Sequence, residues 1–297
     1  MKILKAFFET IKETFVAWQE DNASRLAAAL AYYTIFSLAP LLIIAIAIIG
    51  LIFGESAAQN EIAAQISDTV GPDAASLIQT MIASAGDSQS GFFASVLSIG
   101  TMLFGASGLF NQLQDALNTI WHVAAPESAG FRHQIKKRFW HFVMVFGVAA
   151  LLLLSLFSNI AAQVIAQYIE IGGVYKTLNA LFSYALVTLA FAVIYKALPD
   201  ANIAWRDVWV GAAVTSLLFA VGNWGIGLYM SSGNIGSTFG AAGSLIVLLV
   251  WIYYSTQIIL LGAEFTQVYA HKFGSKIESL GAVKDVETAE DTPGASD

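Results

Sequence analysis

The sequence predicts an all-α integral membrane protein with six transmembrane helices, an amphipathic N-terminal helix and a short helical extracytoplasmic cap. Three observations predict it. The 297 residues are 57% hydrophobic and only 12% charged, against about 25% charged in soluble globular chains. Several apolar runs approach the roughly 20 residues that cross a bilayer core as a helix. No ten-residue segments of alternating polarity occur, which argues against a transmembrane barrel.

The first element is an amphipathic helix over residues 1–20. Leu4, Phe7, Phe8, Ile11, Phe15 and Trp18 recur at helical spacing, with Lys2, Lys5, Glu9, Lys12 and Glu13 on or near the other side. Such a helix lies in the membrane interface or packs against the cytoplasmic face of the bundle. Spans are expected at about 31–53, 92–110, 139–161, 178–198, 208–230 and 241–263. All belong to one transmembrane domain, 1–273. The second continues past the membrane as "NQLQDALNTIW" (111–121), with Leu113, Leu117, Ile120 and Trp121 on one face and Gln112, Asp115 and Asn118 turned elsewhere.

Charge sets the orientation. With the N-terminus cytoplasmic, thirteen of the fourteen Lys and Arg residues fall on the cytoplasmic side and only Lys176 on the other. That bias is the positive-inside rule, so both termini are expected in the cytoplasm. The loop at 54–91 has no basic residue. Ile62, Ile66 and Val70 make one apolar stripe, and Leu77, Ile78, Met81 and Ile82 another. "GPD" at 71–73 ends one helix and starts the next, with Pro72 in the first turn. Two short helices capping the bundle from outside are expected. Residues 274–297 are acidic and lack aromatics, which predicts a disordered cytoplasmic tail.

Enzyme motifs are missing. There is no G-x-S-x-G, no G-x-x-x-x-G-K-[ST] and no H-E-x-x-H. "GNWGIG" (222–227) lies inside an apolar helix, so it is not a dinucleotide loop. Cysteine is absent, and His122, His133, His141 and His271 are scattered near the cytoplasmic interface. No catalytic residue, metal ligand or cofactor site is assigned. The basic run "RHQIKKR" (132–138) reads as topogenic charge, with anionic lipid as the alternative. It lacks the interleaved aromatics a single-strand nucleic-acid binder uses, so no nucleic-acid partner is expected.

The candidate functional or structural polar positions are Arg25, Tyr33, Ser37, Pro40, Asp115, Asn223, Gln257 and Glu264. Glu264 ends a long apolar run, where a carboxylate is costly unless paired or hydrated. Arg25 opens the first span on the same side and is its expected partner. Asp21 and Asp115 compete for Arg25, and interfacial water is the alternative for Glu264. Pro40 frees the Phe36 carbonyl and bends the first span. Ser37 and Thr34 are placed to satisfy that opened backbone. Tyr32 and Tyr33 sit near the inner interface. Asn223, Trp224, Ser255, Thr256 and Gln257, with Asn159 and Gln163, can bridge helices or line a path. Glycines at 100, 105, 108, 222, 225, 227, 236, 240 and 243 allow close helix packing. That packing is within one bundle or across a homo-oligomer. "SSGNIGSTFGAAGS" (231–244) is too glycine-rich for a regular helix throughout.

"RLAAALAYYTIFSLAP" (25–40), the basic loop after the second span and "GSLIVLLVWIYYSTQIILLGAEF" (243–265) together resemble the YihY/BrkB family of bacterial inner-membrane proteins. The similarity covers about residues 10–272. The matching positions are Arg25, Ala28, Tyr32, Tyr33, Ser37, Pro40, Trp251, Tyr254, Gln257, Gly262 and Glu264. The resemblance implies a six-span inner-membrane protein. Members have carried the labels ribonuclease BN and virulence or serum-resistance factor. Metal-dependent RNA hydrolysis needs a metal cluster or paired acid–base groups in water, and the dispersed histidines here do not form one. The expected function is a non-enzymatic transporter or permease-like protein of the envelope, in contact with the lipid bilayer and handling a lipid or small solute. The alternatives are a non-catalytic envelope assembly protein and, third, a membrane-associated ribonuclease.

Overall fold

The computed structural model describes residues 2–86, 108–123, 147, 151, 172–232, 242–274 and 278–279. The described residues are almost entirely helical. The helices are α1 (Lys2–Glu20), α2 (Ala23–Phe53), α3 (Glu55–Val70) and α4 (Pro72–Gly86), then α5 (108–120). They continue with α6 (Gly172–Ala197), α7 (Trp205–Ser232) and α8 (Gly243–Phe273). A two-residue strand, β1 (Ala201–Asn202), pairs antiparallel with β2 (Glu278–Ser279). Among the described residues, three stretches are long and apolar enough to cross a membrane: Thr177–Ala197 in α6, Trp205–Leu228 in α7 and Gly243–Phe273 in α8. Most of the expected spans at 92–110 and 139–161 lies outside the described residues. So do the basic run at 132–138, Asn159, Gln163, residues 233–241 and most of the tail. The tail's described part, β2, lies beside the α6–α7 connection.

The chain divides into two compact units. The first comprises Met1–Ala23, Gln114–Leu217 and Leu260–Asp297. The second comprises Ser24–Leu113 and Leu218–Ile259.

In the first unit, α1 turns Thr10 and Thr14 inward and leaves Phe7, Phe8 and Phe15 exposed. Each threonine hydroxyl donates to the carbonyl four residues back, Thr10 to Ala6 and Thr14 to Thr10, both at 2.9 Å. The buried face therefore carries no unsatisfied hydroxyl, and the aromatic stripe stays free for an interface. On α5, Leu117, Ile120 and Trp121 are buried as the periodicity predicts. Trp121 meets the buried Tyr195 ring edge-on, with centroids 5.9 Å apart. Asn118 is buried too, against expectation, because it has a partner. Its Nδ2 donates to Asp200 Oδ2 at 3.0 Å, and its Oδ1 accepts from the Asp200 backbone N–H at 2.9 Å. Gln114 Nε2 donates to the same carboxylate oxygen at 3.1 Å.

Helices α7 and α8 lock together through two glycine–threonine pairs. A β-carbon at Gly211 would collide with Thr266, reaching 2.7 Å from its Cβ, and one at Gly262 would collide with Thr215. The pairing is reciprocal and antiparallel, because 211 faces 266 while 215 faces 262. Each threonine hydroxyl donates within its own helix, Thr215 to the Gly211 carbonyl at 2.8 Å and Thr266 to the Gly262 carbonyl at 2.7 Å. In lipid, helices gain little from hiding apolar surface from one another, so close approach of this kind holds them together.

In the second unit, α3 and α4 form a hairpin. Its turn is Gly71, at φ 104°, followed directly by Pro72. That backbone region suits glycine, and proline fits a first helical turn. Val70, Ala74 and Ile78 share one buried cluster with Ala31 of α2 and with Leu248 and Ile252 of α8. Ile35, Leu38, Leu42 and Ile66 pack around it. These contacts fall within the stretches expected as spans, 31–53 and 241–263. The reason is that the stripe Ile66, Val70, Ala74, Ile78 keeps its four-residue period across the turn. The hairpin can then lay one apolar edge along two helices. Nearby, Thr256 Oγ1 lies 3.3 Å from the Ala27 carbonyl, joining α8 to α2.

Candidate functional site

Glu264 and Gln267 occupy one face of α8, three residues apart. Asp21 ends the turn after α1, and His122 follows α5. The sequence neighbours of this site have unusual backbones: Asn22 at φ 53° and His122 at φ 52° are the non-glycine residues with positive φ among those described. Asparagine and histidine are among the non-glycine residues that most often adopt this left-handed backbone. The turn at 122 aims the imidazole at Asp21, with Nε2 3.1 Å from Oδ1. On the other edge of the ring, Gln267 Nε2 lies 3.4 Å from Nδ1. With the ring proton on Nε2, the imidazole donates to Asp21 and accepts from the Gln267 amide on Nδ1.

Glu264 is fully buried, at 0% exposure. Among the described residues neither of its oxygens has a hydrogen-bond partner, and Asp21 Oδ2 and Trp121 Nε1 are buried and unpartnered as well. Asp21 is close enough for its charge to act on Glu264. Glu264 and Asp21 thus hold three buried carboxylate oxygens without a hydrogen-bond partner among the described residues, and the Trp121 indole is a buried donor that is equally unpartnered. Most buried polar atoms in folded proteins find a partner, so this group is set apart from ordinary packing. His122 connects the place to water, since its side chain is 60% exposed and that of Asp21 only 12%.

Arg25 is exposed, and Glu264 has no donor among the described residues. The other candidates fall in different places. Asp115 is exposed, and Asn223 is half-buried. Tyr33 is exposed in part, and its ring is what a side chain at Gly108 would meet. Ser37 is buried, but its hydroxyl donates to the Thr34 carbonyl at 3.1 Å, and Thr34 donates to Leu30 at 2.7 Å. These hydroxyls serve carbonyls upstream of the one Pro40 was expected to free. Helix α2 runs through Pro40 without a break in assignment. In the second unit, Trp251 Nε1, Ser255 Oγ and Gln257 Oε1 are buried without partners among the described residues. No group of three or more His, Cys, Asp or Glu able to hold a metal occurs among the described residues.

Sequence reasoning missed His122 and Gln267 and gave Asp21 a different role. Only spacing could have hinted at them. Gln267 follows Glu264 by three, and His122 ends a helix whose other face is apolar.

Comparison with known proteins supplies the setting. The family described as Virulence factor BrkB matches residues 14–286. A UPF0761 membrane protein of Alkalilimnicola ehrlichii is 24% identical over 277 residues, covering 90% of this chain and 60% of the relative. One from Alteromonas mediterranea is 24% identical over 262 residues, covering 87% of this chain and 86% of the relative. Another, from Tolumonas auensis, is 29% identical over 162 residues, 53% of this chain and 52% of its own. The chain therefore spans only about half to two thirds of several curated relatives. No solved structure matches.

Proposed function

Because this chain belongs to the BrkB virulence-factor family of membrane proteins, we propose that it is a non-catalytic transport protein. It crosses a bacterial inner membrane six times with both termini cytoplasmic, and moves a lipid or small solute. The observation that carries this reading is the α3–α4 hairpin. Its Gly71–Pro72 turn is flanked by Val70 and Ala74, which pack in the cluster containing Leu248 and Ile252. The middle of the expected 241–263 span is residue 252. A helix break at that depth is tolerated where it is held by protein or lines a watery cavity, and broken helices at mid-membrane are what transporters use to build a substrate site. Trp251, Ser255 and Gln257 bring unpartnered polar atoms to the same stretch of α8. An anchor has no use for them.

Vesicles of phosphatidylethanolamine and phosphatidylglycerol containing the purified protein test this. Movement of a fluorescent phosphatidylethanolamine between leaflets, or swelling in a panel of small polyols, amino acids and organic acids, should exceed that of empty vesicles. It should fall when Gln257 is changed to Leu. Vesicles that pass neither class of probe would sink the transport reading and favour an envelope assembly role.

A further inference from the structure

We infer that Glu264, Asp21 and His122 form a proton-binding site, loaded from water through the exposed imidazole. The inference goes beyond the transport reading and does not depend on it. Its basis is geometric. Glu264 and Asp21 hold three buried carboxylate oxygens with no hydrogen-bond partner among the described residues, and His122 touches both Asp21 and Gln267, three residues beyond Glu264 on α8. Two carboxyl groups sharing one buried place are relieved by a single hydron held between them. A metal ion would ask for more ligands than the described residues gather here.

The surrounding groups fit a path for that hydron. From α1 comes Asp21, and from the turn after α5 comes His122, 3.1 Å away. On α8 itself, Gln267 contacts the imidazole, His271 Nδ1 lies 3.1 Å from the Gln267 carbonyl, and Lys272 is paired with Glu13 at 2.7 Å. Lys272 is therefore engaged elsewhere. Water gives a proton to His122 Nδ1 as Gln267 swings away. His122 Nε2 then passes its own proton to Asp21 Oδ1, and the Asp21 carboxylic acid hands one on to a Glu264 oxygen. One O–H bond forms on Glu264, one proton leaves water, and Asp21 returns to carboxylate. The imidazole ends neutral with its proton on the other nitrogen. Trp121 Nε1, buried beside this turn and unpartnered, is a donor that the charged state of the site could use.

The full-length protein in nanodiscs tests this by infrared difference spectroscopy between about pH 5 and about pH 9. A carbonyl stretch of a buried carboxylic acid should appear at low pH and be lost at high pH. It should vanish in E264Q and persist in E9Q, where an exposed carboxylate is removed. H122A should shift the pH at which the band is lost. If E264Q cannot be recovered, E264D must move the band in frequency. A band unchanged by E264Q, or no pH-dependent band in the parent protein, overturns the site. So does a band abolished by sodium at constant pH. Vesicles without flux alongside an intact band would remove the transport reading and leave the proton site standing.

Discussion

Gly211 and Thr266 touch so closely that no β-carbon fits between them, and Gly262 and Thr215 repeat the contact one turn away. Both threonines have turned their hydroxyls back onto the glycine carbonyls of their own helices. Each helix thus offers one notch and one knob. Changing Gly211 to Ala should destabilise the protein by about 1–3 kcal/mol through overpacking. Adding Thr266→Ala to it should restore part of the loss, since the two sites share one contact. Unfolding of purified variants in mixed detergent measures both, and equal stability of Gly211→Ala and the parent would disprove the interlock.

The Asp200 carboxylate is the hub joining the α6–α7 connection to α5. Asp200→Ala leaves the Gln114 and Asn118 amides buried without their acceptor, so a loss of about 1–3 kcal/mol is expected. Asn118→Ala should cost a similar amount. Combining the two should cost clearly less than their sum. Strict additivity in the same unfolding assay would mean the contact contributes nothing.

The hairpin turn makes a prediction about depth. The chain has no native cysteine, so single cysteines can be labelled without background. A fluorophore at Pro72→Cys should be quenched by lipid brominated on its acyl chain, and one at Ser56→Cys far less. Equal, weak quenching at both positions would return α3 and α4 to an external cap.

Helix α1 carries its exposed aromatics away from the protein. A fluorophore at Phe8→Cys should be quenched by lipid brominated near the headgroup, and one at Glu9→Cys should be protected. The two positions are about 100° apart around a helix of 3.6 residues per turn. Reversed quenching would mean that the polar side faces lipid.

Local signals located most of the helices. The apolar period of 1–20 became α1, "GPD" became the α3–α4 turn, and the long apolar runs became α6, α7 and α8. What the sequence could not show was which neighbour each face meets. Periodicity reports that Ile66 and Val70 share one edge and Leu77 and Ile78 another, but is silent on Ala31 and Ile252. The polar contacts were hidden for the same reason. Asn118 and Asp200 are 82 residues apart, Asp21 and His122 are 101 apart, and His122 and Gln267 are 145 apart. Glu264 was legible as an anomaly because a carboxylate after so long an apolar run is costly wherever it ends up.

The smallest element has a consequence for biosynthesis. Ala201 and Asn202 are translated before α7 and α8, and their ladder partners Glu278 and Ser279 come after both helices. The two strands can meet only when everything between them has been made and inserted. Closing so long a loop is slow and entropically costly. The ladder is therefore among the last contacts made in a newly synthesised copy. It marks chains in which α7 and α8 have already found their places, and a ribosome stalled ahead of residue 278 leaves the connection at 201–202 without its strand partner.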